Sequence, residues 1–195
     1  MSRAPVRLTA SPSQTVGPFF HFGLADNAAL GRLAGPHTTG DRILLDIGVF
    51  DGDGVPVPDS LIEIWQADAD GTYVRPESPD AALPPPEFTG FGRLPTGPDG
   101  VCRFETIRPG RVADAQGALQ APHINVCLFA RGLLRQLFTR IYFADDPALA
   151  ADAIFQLVPA DRRETLLASR VPGAPCQWRF DIRLQGDRET VFFDL

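Results

Sequence analysis

The sequence predicts a mainly β protein, an antiparallel β-sandwich with a short helical insertion near residues 146–169 and an irregular N-terminal arm. Three observations predict it. Apolar and polar residues alternate in several short segments, as they do in strands with one buried face. Strong turn dipeptides separate those segments: Asp51-Gly52, Asp53-Gly54, Asp70-Gly71, Asp99-Gly100 and Pro109-Gly110. The 18 glycines and 19 prolines are dispersed among such turns and form no low-complexity tract.

Residues 1–40 show little periodicity and read as an arm wrapping the domain or a partner. Ile43, Leu45, Ile47 and Val49 then share one face of a strand, and residues 60–66 form the next. The Pro-rich segment 75–87 reads as an excursion loop or a disordered tip. Further strands are expected at residues 101–107, 123–130, 137–143 and 190–194. The clearest is 177–185, where Trp178, Phe180, Ile182 and Leu184 face one way, opposite Gln177, Arg179, Asp181, Arg183 and Gln185. Asp145-Asp146-Pro147 supplies a cap and a first-turn proline for a helix running to about Val158, with a second short helix at 160–169. With no internal repeat and no linker, residues 1–195 are expected to form one domain.

The formal net charge of −6 gives no basic footprint for nucleic acid. Cys102, Cys127 and Cys176 have neither disulfide-framework nor zinc-site spacing, so a reducing compartment and a cytoplasmic location are expected. Residues 1–12 hold no apolar signal core, and no run approaches the length of a membrane span.

Several residues carry candidate chemistry. Strand alternation points His123 and Asn125 the same way. A His-x-His pair in that geometry offers two imidazoles to one metal, but an amide is a far poorer ligand for a transition metal. His123 then reads as a hydrogen-bonded core histidine, with Tyr73 as a candidate partner. Residues 61–73 read as a strand, a glycine turn and then Tyr73. On residues alone Trp65 would fill core and Tyr73 would edge a loop. Gly17-Pro18 is a turn whose glycine lets backbone approach another molecule closely, and an arm packed on its own domain is the alternative. Arg131, at a strand end beside Gly132, is either a solvated charge or an anion-binding group. His21 and His37 receive no role.

The segment Asp51-Gly52, Pro56-Val57-Pro58-Asp59, Glu63-Ile64-Trp65-Gln66-Ala67, Gly71 and Tyr73 resembles the signature of the intradiol ring-cleavage dioxygenases. Further resemblance lies in Ser13-Gln14-Thr15-Val16-Gly17-Pro18-Phe19, in residues 121–125, in Leu128-Phe129-Ala130-Arg131-Gly132 and in the strands at 138–143 and 179–194. The resemblance implies a ferric ion held by two tyrosinates and two histidines. Tyr73 and His123 match two ligands, whereas Arg111 and Asn125 stand where the second tyrosine and second histidine belong. These four residues are thus expected to form a degenerate metal site binding no iron, with Arg111 occupying the metal's volume.

One branch of the family pairs homologous alpha and beta sandwiches, and this sequence resembles the alpha type. That resemblance implies a homologous iron-bearing beta subunit as partner, with Fe(III) held by that partner and none by this chain. It implies cleavage of protocatechuate by O₂ to 3-carboxy-cis,cis-muconate at an inter-subunit site. No catalytic residue is expected in this chain alone. Thr15, Gly17, Pro18, Phe19 and Arg131 would bind substrate, with Arg131 facing the ring carboxylate. Phe19 stands where the family usually has tyrosine, so a hydroxyl contact is lost. Trp65, Trp178, Phe192 and Phe193 are candidate interface residues. The alternatives are a non-catalytic β-sandwich binding module and a self-sufficient iron enzyme with substituted ligands.

Overall fold

The computed structural model describes residues 10–74 and 87–194. Eight strands make one sheet in the order β3-β2-β5-β6-β7-β8-β1-β4. They are β1 (Arg42–Phe50), β2 (Leu61–Gln66), β3 (Phe91–Pro95), β4 (Val101–Ile107), β5 (His123–Phe129), β6 (Leu137–Phe143), β7 (Leu167–Val171) and β8 (Ala174–Arg183). The sheet folds over at β7, which pairs with β6 on one side and β8 on the other. Two leaflets, β3-β2-β5-β6 and β8-β1-β4, thus face each other across the core.

Strand alternation builds that core. Ile43, Leu45, Ile47 and Val49 of β1 meet Trp178, Phe180 and Ile182 of β8, and the opposite leaflet adds Ile62, Ile64, Ile124, Val126 and Leu128. Gln66 is buried among them. Its amide donates to the carbonyls of Ala67 and Ile107 while its own carbonyl accepts from Thr106, which ties β2 to β4 across the sandwich. Every polar atom of that side chain is satisfied, as a buried amide requires.

The structure departs from the sequence expectation in several places. Two pairings, β1 with β8 and β6 with β7, are parallel. Two strands went unpredicted. β3 is a five-residue edge strand containing Gly92 and ending on Pro95, a composition that hides a strand yet suits an edge. β7 buries only Ala168, so it carries no alternating stripe. It begins within the last residues of the segment 160–169 expected to be the second short helix, of which only a 3₁₀ turn at Arg163–Leu166 is helical. Residues 190–194 form no strand; they meet the sheet by an isolated bridge between Phe138 and Phe193 and by bonds from Thr190 to Arg183 and from Thr139 to the Val191 carbonyl.

The first expected helix is split. A 3₁₀ turn at Pro147–Ala151 is capped by Asp146, and the helix counted here as α2 (Ala153–Leu157) is capped by Asp152. Within the arm, α1 (Pro18–Leu24) has a first-turn proline but no buried residue, so it left no periodic signal. Trp65 is 50% exposed, and Trp178, expected at an interface, is core at 1%. The Pro-rich expectation at 75–87 lies outside the described residues apart from Glu87.

Candidate functional site

Two turns are wedged together to present Tyr73. The Asp68 carboxylate accepts the backbone N–H groups of Asp70 and Thr72, at 3.0 and 2.8 Å, and fixes the first turn. Gly71 sits at φ +82°, and a Cβ there would lie 2.0 Å from the Arg111 carbonyl oxygen. Gly110 presses back in turn, 2.3 Å from the Ala69 carbonyl oxygen by the same measure. Only glycine permits this double approach. It brings the segments carrying Tyr73 and Arg111 side by side.

Register then sets what surrounds Tyr73. On the outer face of the leaflet, Phe91, Trp65, Asn125 and Arg140 lie on one rung across β3, β2, β5 and β6. His123 and Tyr142 pair on the next. Asn125 donates to the Tyr73 hydroxyl at 2.9 Å, and Trp65 meets the Tyr73 ring edge-on with centroids 6.1 Å apart. Burial raises the Tyr73 pKa, opposed by the Asn125 hydrogen bond and the Arg140 charge.

His123 is 1% exposed and its Nδ1 contacts the Ala121 carbonyl at 2.8 Å. Tyr73, its expected partner, is taken by Asn125. Burial, helped by the nearby Arg140 charge, pushes the His123 pKa down to about 4, so the ring is neutral at pH 7. Tyr142, which the sequence set apart, stacks 5.8 Å from His123 and bonds to Asp152.

Arg111 does not fill the pocket. It is exposed, and its guanidinium donates to the carbonyls of Leu119 and Gln120. The cation beside Asn125 is Arg140, which the sequence reading missed. The signal was available, since both strands were expected and pairing them would have put Arg140 opposite Asn125. Arg140 donates to the Gln120 side-chain carbonyl at 2.8 Å and lies 3.4 Å from the Tyr142 hydroxyl.

The arm residues gather elsewhere. Gly17, Pro18 and Arg131 line a cleft of about 490 Å³ together with Phe20, His21 and Asp59. Thr15 lies at its edge, its hydroxyl accepting the Gly132 N–H at 2.7 Å. Phe20 packs on Phe129, with centroids 5.2 Å apart, and His21 pairs with Asp59. Asp59 holds a left-handed backbone, φ 61°, at the end of the Pro-Val-Pro-Asp segment. His21 thus has the anchoring role that the unpatterned arm concealed. Phe19 does not line the cleft and is 86% exposed. Nothing lies within 4 Å of where a Gly17 Cβ would stand, so no atom of this chain demands glycine there.

A family model described as dioxygenase matches residues 16–186. The protocatechuate 3,4-dioxygenase alpha chain of Burkholderia cepacia is 47% identical over 201 residues, spanning 96% of this chain and 98% of that one. The beta chain from the same organism is 35% identical over 185 residues, spanning 91% of this chain and 77% of that one. Among solved structures, 3-chlorocatechol 1,2-dioxygenase from Rhodococcus opacus 1CP matches in fold with a TM-score of 0.62 at 21% identity, covering 89% of this chain and 72% of that one. The signature residues around Tyr73, the sandwich that carries them and these likenesses lead to one conclusion: the chain belongs to the intradiol dioxygenase family.

Proposed function

We propose that this chain is the alpha-type subunit of a heteromeric intradiol dioxygenase that opens protocatechuate with O₂ to 3-carboxy-cis,cis-muconate. A homologous beta-type subunit holds the Fe(III), and this chain supplies wall and charge to the shared pocket. The observation that carries the reading is the convergence of Gly17, Pro18 and Arg131 on one cleft, with Thr15 pinning the arm to Gly132. The near full-length likeness to an alpha chain, against a weaker one to a beta chain, points the same way.

The family uses ferric iron, and the residues around Tyr73 do not suit it. A tyrosinate is needed, yet burial is the largest influence on Tyr73 and raises its pKa. His123 is a single imidazole, and Asn125 stands on its face of the strand where a second would be. Arg140, a permanent cation opposite Asn125, disfavours an added trivalent charge. No step of ring opening is therefore assigned to this chain's own pocket.

Its contribution is binding and orientation. Arg131 is exposed on the cleft and forms no ion pair among the described residues, so its guanidinium is free to take a carboxylate in bidentate geometry. Gly17 and Pro18 offer a wall without side-chain bulk, and the outward ring of Phe19 offers apolar surface to the neighbouring subunit or the substrate. Cys102, Cys127 and Cys176 are all free, in keeping with a cytoplasmic location. Among the described residues no helix is long and apolar enough to cross a membrane.

The test is Arg131→Gln in the co-purified pair, assayed with protocatechuate and with unsubstituted catechol. A charged hydrogen bond is worth about 1.5–3 kcal/mol, so kcat/KM for protocatechuate falls roughly 10–100-fold while that for catechol stays level. Equal losses on both substrates, or none on either, would contradict a carboxylate-binding role.

A further inference from the structure

The outer face of the β3-β2-β5-β6 leaflet carries a groove that the Arg131 cleft does not explain. Its volume is about 610 Å³, within the range of small-molecule sites. Trp65, Phe91, Phe138 and Phe193 give it aromatic walls, and Asn125 and Arg140 give it polar atoms at one end. Trp65 is half exposed there, which is unusual for so large a ring in a strand.

Arg140 has no carboxylate in direct contact among the described residues, and Asp152 reaches it only through the Tyr142 hydroxyl. Arg140 is half-buried and forms no ion pair among the described residues. Its contacts are neutral oxygens, those of Gln120 and Tyr142, and both run to the same guanidinium nitrogen, Nη1. The groove's acidic residues do not answer it. Glu63 is bound to Arg93, and Asp194, though it lines the groove, makes no ion pair with Arg140. An arginine partly withdrawn from water without a directly bonded carboxylate favours an anion brought from outside. Flanking aromatic surface adds a preference for a flat ring, through stacking on Trp65 and the phenylalanines.

We propose that this groove is an iron-independent binding site for a small aromatic carboxylate, its ring against Trp65 and its carboxylate on Arg140. The site is separate from the Arg131 cleft, and a ligand lacking vicinal hydroxyls occupies it without metal. The inference therefore does not depend on the identity of a partner subunit.

The experiment is equilibrium binding of 4-methoxybenzoate to the purified full-length protein, followed by tryptophan fluorescence. The chain has two tryptophans, and Trp178 is core at 1% exposure, so the signal reports Trp65. Saturable quenching is expected, with affinity falling at least tenfold in Arg140→Met and the response lost in Trp65→Phe. The neutral 4-methoxybenzyl alcohol should bind weakly and equally to the parent and Arg140→Met. Unchanged affinity in Arg140→Met, or quenching that survives in Trp65→Phe, would overturn the proposal. Should Arg140→Met not fold, crystals of the parent protein soaked in 4-bromobenzoate decide the matter. Bromine density between Trp65 and Phe138 supports the site, and its absence from the groove refutes it.

Discussion

His123 is where the family's chemistry and this chain's stability part company. The ring is sealed between the Ala121 carbonyl and Tyr142, and its pKa is held at about 4 against an ordinary 6.5. A depressed histidine pKa means that the unfolded chain binds a proton more readily than the folded one. Above pH 6.5 both states are neutral and His123 contributes no pH dependence. Below it the unfolded state gains the proton first, so stability falls as pH drops towards 4, by about 1.4 kcal/mol per pH unit. Urea denaturation of the parent and of His123→Asn at pH 7, 6 and 5 should show a steeper acid loss in the parent. Parallel curves would mean that His123 is not held neutral by its surroundings.

At the scale of elements, Asp152 joins the helical insertion to the site. One carboxylate oxygen accepts the Phe155 N–H, capping α2, and contacts the Tyr142 hydroxyl. The other accepts the Ala121 N–H at 2.7 Å. Ala121 is the residue whose carbonyl holds His123, so the insertion and the His123 strand share an anchor. Asp152→Ala removes a cap and strands a buried N–H, each worth about 1–2 kcal/mol, and should lower the unfolding free energy by about 3 kcal/mol. A loss under 1 kcal/mol in thermal or urea unfolding would show that water replaces the carboxylate.

The same residue explains what the sequence could and could not disclose about these elements. Asp146 with Pro147 was legible as a helix start, because caps are local chemistry. That Asp152 would turn inward to Ala121 and restart the helix depends on a residue 31 positions away. β1 and β8 were legible as stripes of alternating apolar residues, whereas β3 and β7 exist through their neighbours and carry no stripe of their own. In the site, Tyr73, His123 and Asn125 stood out through motif spacing. Arg140 did not, since its position follows from the β5–β6 register, and Arg111 was misjudged because sequence cannot say which way a long side chain leaves its loop.

At the scale of the whole molecule, two separate pockets among the described residues bear on function. One lies where the arm crosses the end of β5, fixed by Thr15 on Gly132, Phe20 on Phe129 and His21 on Asp59. The other lies on the outer face of the leaflet, lined by the Asn125 amide and the Arg140 guanidinium. A sandwich that surrounds Tyr73 and His123 with an amide and an arginine fits the proposed subunit that supports a catalytic neighbour. The most direct test is to express this chain alone and with a beta-type homologue, then measure iron content and protocatechuate-dependent O₂ uptake of each purified product. Near-stoichiometric iron and activity only in the co-purified pair are predicted, and iron with activity in this chain alone would contradict the account.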